Sequence, residues 1–407
     1  MDVMARTYPF QRRRPFEMPE EYAWLRANSP VARVKLASGD VAWLVTRHED
    51  VRSALADARF GRDINSGTGS RVDTGYSVDA ASPVFSFGGS ISVPPGHGRW
   101  RRIVNRAFTQ RQADTLRESI GEHIETLLDE LTGQAGPVDL MADFAYRFPI
   151  RVICDLLGIE QRARPEFTAL AARLTRRDFQ SSFADFGDAL QGIGRYAIGL
   201  IVRKRRELGE DLLSELIGLH DEDGSRLSNE ELVSTIVLLL MAGYESAAVQ
   251  FGNAILALCH HPDQLARLVA DLALVGTAVD EFLRYAQIGT GFAVAKSATE
   301  DIEIGGAVIP AGAIVFLSLG SANRDQDVFG ADAEEFDLGR ASATRHLAFG
   351  AGPHFCLGAA LARTELAEGV SRLLARCPGL RLVGALDDVP LASNLFTYYP
   401  GTLRVTW

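Results

Sequence analysis

Cys356 lies in the segment Phe349-Gly350-Ala351-Gly352-Pro353-His354-Phe355-Cys356-Leu357-Gly358, and a helical pattern begins near Ala359. A cysteine just ahead of a helix N-terminus meets free amide N–H groups and the positive end of the helix dipole, and both favour the thiolate. Three glycines within these ten residues permit tight turns and close backbone approach to a flat ligand. Such a loop can hold a sulfur under a macrocycle, where a thiolate donates electron density to iron and promotes O–O cleavage. An isolated Cys-x-Gly at a helix cap is, by contrast, most often a small buried hydrophobe. Cys154 and Cys259, in apolar helical stretches, and Cys377, in a helix-ending turn, fit that structural role.

Three further groupings carry polar chemistry. Glu281 and Arg284 are three apart, share a helix face and can form a charge-assisted pair. His97 and Arg101 stand at i and i+4 just inside a predicted helix, so both can face one anionic group, with Trp100 between them. The third is Ala242-Gly243-Tyr244-Glu245-Ser246, in the middle of an apolar helix, where a glycine, an acid and an alcohol are costly unless used.

These residues need a frame. The 407 residues, 47% hydrophobic and 23% charged, suffice for a large core, as one big domain or two fused small ones. Val31 to Thr46 alternates apolar and polar residues around Ser38-Gly39-Asp40 and predicts a β-hairpin. Gly61 to Ser92, rich in Gly, Ser and Asp, reads as a long irregular loop. From about His97 to Arg205 the spacing is helical, as in Ile120, Ile124, Leu127, Leu128 and Leu131. Ser228 and Glu231 form a capping box, and no proline follows until Pro262, so one helix of about 30 residues, roughly 45 Å long, is predicted. Its middle, Ile236 to Gly243, is apolar on every side and belongs at the centre of the domain. Another helical stretch runs to Tyr285, short strands follow around Gly305-Gly306 and Pro310-Ala311-Gly312, and a last helix stops at Cys377-Pro378-Gly379.

The net charge of -10 argues against a nucleic-acid-binding face. The four dispersed cysteines suit a reducing cytoplasm. The strongly apolar run Ile236 to Ala242 is too short to span a bilayer, so no membrane partner is expected.

Phe-Gly-x-Gly-x-His-x-Cys-x-Gly closely resembles the haem-binding signature of the cytochrome P450 family. The resemblance extends over nearly the whole chain and is greatest to the soluble bacterial, actinobacterial-type branch. It implies a mostly α fold with small β-sheets, a triangular helix-rich prism with haem between the long central helix and the cysteine-loop helix. A single domain, 1–407, would have a β-rich lobe at about 28–60 and 286–320 plus the C-terminal strands, the rest being α-rich. Cys356 would bind the iron of haem b, Phe349 would shield the sulfur, and Gly350, Gly352 and Gly358 would shape the loop. His97, Arg101, Lys296 and His354 would hold the propionates, Trp100 and Ala242 would lie against the porphyrin, and Glu281, Arg284 and Arg340 would brace the core. Lys296 stands where the family usually has Arg, which keeps the charge and loses the bidentate fork. Ala322-Asn323-Arg324-Asp325 also fits, with Gln326 where Pro is common.

By the same resemblance Gly243 would loosen the central helix for O2, Ser246 would hydrogen-bond the bound oxygen and Glu245 would relay protons to it. The family's usual alcohol is Thr, so Ser246 keeps the hydroxyl without the stiffening methyl. The expected function is two-electron oxidation of a small organic substrate, commonly hydroxylation in natural-product tailoring, by a monomeric cytoplasmic protein. Electrons would come from NAD(P)H through ferredoxin reductase and ferredoxin, the latter meeting a basic patch of Arg99, Arg102, Arg106 and Arg111. Substrate would touch Phe85, Phe87, Leu240, Gly289, Thr290, Phe292, Ala293, Leu395 and Phe396. Oxidative cyclisation or aryl or C–N coupling is an alternative outcome. A peroxide-driven enzyme would usually lack the acid–alcohol pair, and a haem sensor would not need it.

Overall fold

The computed structural model describes residues 4, 6–10, 12, 14–61, 91, 96–175, 183–219, 224–288, 294–393 and 398–407. The predicted loop from Gly61 to Ser92 lies almost wholly outside them. The chain divides into two compact units: Met1–Ser86 with Asn253–Cys356 and Gly384–Gly401, and Phe87–Gly252 with Leu357–Val383 and Thr402–Trp407.

The first unit is built on a six-stranded sheet in the order Thr7–Tyr8, Val31–Leu36, Val41–Val45, Ile314–Leu317, Val294–Ala298, Phe60–Gly61. The predicted hairpin supplies its second and third strands: Val31 pairs with Val45 and Lys35 with Val41, and Gly39 at φ 87° makes the turn. Strand alternation feeds two apolar layers. Val315 and Leu317 join Val31, Val51 and Leu55 on one face, and Ile314 and Phe316 join Tyr8, Leu25, Val34 and Leu44 on the other. Lys296, paired with Val315 in this sheet, is only 3% exposed.

The predicted helical stretch after Pro262 is two helices, Pro262–Ala270 and Val275–Tyr285, joined by a 3-10 turn at Leu272–Leu274. Asp271 causes the break: its carboxylate accepts the amide N–H of Ala273 at 3.0 Å and so starts a new element.

The second unit is helical. Gln110–Thr132 packs against Ala359–Arg376, and Ile120, Ile124, Leu127, Leu128 and Leu131 are among its buried positions, as the spacing predicts. The final helix starts at Ala359 and ends at Arg376, also as read from the sequence. A three-stranded sheet joins Arg381–Leu382, Arg404–Thr406 and Val138–Asp139.

The capping box is present, with Glu231 N–H donating to Ser228 Oγ at 3.1 Å and Ser228 N–H to Glu231 Oε2 at 2.8 Å. The helix it starts is interrupted: Asn229–Gly243 gives way at Tyr244, and Glu245–His260 continues. Bonds to the interruption are long, 3.3 Å from Tyr244 N–H to Leu240 and 3.3 Å from Ala248 N–H to the Tyr244 carbonyl. Taken together, Asn229–His260 is long and apolar enough to cross a membrane by length and composition, which the short run Ile236 to Ala242 did not convey. Its buried residues, among them Leu232, Ile236, Leu240, Val249 and Ile255, mark it as a core helix.

Candidate active site

In the cysteine loop the Cys356 amide N–H donates to the Phe349 carbonyl at 2.9 Å, the Phe355 amide to Gly352 at 3.0 Å and the Gly350 amide to Leu347 at 2.8 Å. Gly350 and Gly352 adopt φ 71° and 69°, the left-handed region that disfavours any side chain. Gly352 is also pressed against the helix His48–Ala56, where a Cβ would come 2.6 Å from the Ala56 Cα. Phe349 lies beside Phe355, ring centroids 6.2 Å apart, and beside His346 at 5.6 Å. Gly358 follows as the N-cap of Ala359–Arg376.

The four cysteines differ in access. Cys154 and Cys377 are buried, and burial pushes their thiols up to about 12 and about 11, so both stay protonated. Cys356 is partly exposed. Cys259 is partly exposed as well but lies within the helix Glu245–His260, so the accessible cysteine held by glycine turns is Cys356.

Behind the loop lies a buried ionic network. Arg284 Nε and Nη2 each reach a Glu281 carboxylate oxygen at 2.7 Å, and both side chains are essentially inaccessible. The remaining Arg284 donors meet the carbonyls of Asn323 (2.9 Å), Ala333 (2.7 Å) and Glu335 (2.8 Å). Arg340 Nε stands 3.6 Å from Glu281, while its Nη atoms bind Asp332 and the carbonyls of Phe329 and Asp332. One helix turn therefore pins the irregular chain from Asn323 to Arg340 that leads into the cysteine loop.

Two side chains, Asn323 of the Ala322-Asn323-Arg324-Asp325 segment and His346, anchor the loop entry through partners that sequence spacing does not show. Asn323 Oδ1 accepts the Leu347 amide at 2.7 Å, and His346 lies between Asp280 and the Ala348 amide. Their partners are 24 and 66 residues away, so spacing could not reveal them.

His97, Trp100 and Arg101 lie on the helix Gly96–Val104. His97 is 7% exposed and Trp100 3%, with ring centroids 6.0 Å apart. The Trp100 indole N–H donates to Thr235 Oγ1 at 2.8 Å, and Thr235 in turn donates to the Glu231 carbonyl at 2.6 Å. The edge of Trp100 is thus fixed to the capped helix. Arg99 departs from the expected basic patch. It binds Glu231 at 2.5 Å, Ser225 Oγ at 3.1 Å and the Arg226 carbonyl at 2.8 Å, because it shares the capping acid of the neighbouring helix. Arg102, Arg106 and Arg111 remain exposed.

On the central helix, Glu245 and Ser246 begin the segment after the interruption, and the Ser246 hydroxyl donates back to the Ala242 carbonyl. A Cβ at Gly243 would stand 3.1 Å from Ile153 Cδ1, closer than an ordinary contact. Leu240 is fully buried. The other expected substrate-contacting residues, Phe85, Phe87, Gly289, Thr290, Phe292, Ala293, Leu395 and Phe396, lie outside the described residues.

A partly exposed cysteine in a glycine-turned loop ahead of a helix, with a buried ionic brace behind it, is the architecture of a haem-thiolate protein. The family model described as Cytochrome P450 matches residues 83–378, and the chain belongs to that family. It is 40% identical over 403 residues to nocardicin C N-oxygenase of Nocardia uniformis subsp. tsuyamanensis, covering 99% of this chain and 98% of that protein. It is 37% identical to the mycinamicin IV hydroxylase/epoxidase of Micromonospora griseorubida, covering 99% and 98%. Among solved structures, the LnmA cytochrome P450 hydroxylase of Streptomyces atroolivaceus S-140 superposes with a TM-score of 0.88 at 35% identity, covering 99% of this chain and 100% of that one.

The protein is accordingly a P450 monooxygenase that uses haem b, O2 and electrons derived from NAD(P)H. Its residues suit haem. Cys356 is an accessible soft ligand, the glycines keep bulk out of the loop, and Lys296, buried in its sheet, is a donor fit for a carboxylate. When bound, haem supplies oxygen activation.

Proposed function

We propose that this P450 tailors a bacterial secondary metabolite by oxidising one C–H or N–H position of a small organic substrate. Cys356 binds the iron, His97, Arg101, Lys296 and His354 hold the propionates, and Glu245 with Ser246 manages protons. The observation that carries the reading is the helix interruption at Tyr244, followed at once by an acid and an alcohol. Ser246 donates to Ala242, so its lone pairs remain available to accept a proton-bearing group, and Glu245 is one residue away. A haem sensor has no use for that costly break.

The similarity to nocardicin C N-oxygenase and to the mycinamicin IV hydroxylase/epoxidase supports a secondary metabolite as substrate and keeps N-oxygenation beside hydroxylation as the outcome. Electrons arrive through ferredoxin reductase and ferredoxin, the latter docking on Arg102, Arg106 and Arg111 of a monomeric, cytoplasmic enzyme. The test is turnover of candidate metabolites, found by the spectral change as water leaves the iron, with a ferredoxin system and separately with peroxide. Product formed with the ferredoxin system and not with peroxide alone supports the reading. Product with peroxide alone, or binding without oxidation, overturns it.

A further inference from the structure

The chain enters the cysteine loop through His346, Leu347 and Ala348, and the buried side chains of Asn323 and His346 hold the Leu347 and Ala348 amides. His346 Nδ1 lies 3.0 Å from the Ala348 amide nitrogen. That amide can only donate, so Nδ1 is the acceptor and the ring proton sits on Nε2. Nε2 is 3.2 Å from Asp280 Oδ1, a direction in which the proton is donated to a carboxylate. The same ring contacts Phe349, whose carbonyl receives the Cys356 amide. His346 is 8% exposed, and its side chain 2%. Asp280 is next to Glu281 on Val275–Tyr285, so the helix that pins the ionic network also orients this imidazole.

We propose that His346 is a positioning residue for the iron-binding thiolate: Asp280 fixes its tautomer, Nδ1 fixes the Ala348 amide, and Phe349 and the Cys356 amide are thereby set in register. The inference rests on Cys356 being the iron ligand. Removal of the Nδ1 acceptor strands a half-buried amide and loosens the loop at its entry.

The variants separate the two ring nitrogens. His346→Asn retains an acceptor near the Nδ1 position, whereas His346→Gln reaches toward Asp280 and gives up the Ala348 contact. Asp280→Asn keeps an acceptor for Nε2–H. In the ferrous carbonyl holoenzyme, the red-shifted thiolate band is followed as it decays to the form without thiolate ligation, and haem loss to an acceptor protein is followed in parallel. His346→Gln should hasten the decay roughly tenfold, while His346→Asn and Asp280→Asn stay within about threefold of wild type. Should His346→Gln fail to load haem, a folded chain by far-UV circular dichroism together with a loaded His346→Asn supports the proposal equally. His346→Gln decaying like wild type, or His346→Asn decaying as fast as His346→Gln, overturns the proposal. A wild-type protein without the red-shifted band would instead overturn the assignment of Cys356.

Discussion

Glu281→Gln tests the buried network most severely. Glu281 accepts two bonds of 2.7 Å from Arg284 and one of 2.9 Å from the Asp337 amide, and its side chain is 1% exposed. Glutamine preserves the shape but turns one oxygen into an NH2 that faces the Arg284 donors, leaving a guanidinium with no carboxylate at contact distance. Breaking a buried pair from one side costs about 3–5 kcal/mol. Arg284 keeps three carbonyl acceptors, so the lower end, about 3 kcal/mol, is expected. Urea unfolding followed by circular dichroism and by haem absorbance reads the loss, and the pair Glu281→Gln with Arg284→Met separates the ionic term from packing. A Glu281→Gln loss under about 1 kcal/mol would refute the reasoning, because the network would then be dispensable.

Three other perturbations have definite expected outcomes. Gly243→Val should cost about 1–3 kcal/mol through crowding of Ile153, and Ile153→Val, which deletes the crowding methyl, should recover part of it; additive effects in thermal unfolding would contradict the packing reason. Burial pushes the Glu365 carboxyl from its ordinary value of 4.5 up to about 8, so the folded chain holds a proton that the unfolded chain releases between those values. Stability should therefore be greatest below the lower value and fall as pH rises through the upper one, and Glu365→Gln should flatten that fall in unfolding measured across pH. Glu245→Gln should slow kcat about 100-fold with a larger solvent isotope effect, and Ser246→Ala should divert electrons to peroxide, as read from NAD(P)H, product and peroxide stoichiometry.

What the sequence made legible is what local chemistry determines. The hairpin around Gly39, the capping box at Ser228, the start of the last helix at Ala359 and the glycine-turned cysteine loop are each set by residues within a few positions of one another. The pair Glu281–Arg284 was visible for the same reason, being one turn apart. Distant partners were not. Asp280 with His346 and Asn323 with Leu347 join chain segments whose approach depends on the whole fold. Arg99 looked like surface charge because Glu231 and Ser225 lie more than a hundred residues on. The interruption at Tyr244 was hidden because no proline marks it; the close approach of Ile153 to Gly243 is a tertiary contact, and the Ser246 back-bond is invisible in a hydropathy pattern.

The thiolate assignment is most directly tested by the ferrous carbonyl spectrum of Cys356→Ser, beside wild type and with haem content measured. Wild type should show the red-shifted band of thiolate ligation, and Cys356→Ser should lack it even where haem remains bound. Persistence of that band in Cys356→Ser would mean that another group binds the iron, and would contradict the account at its centre.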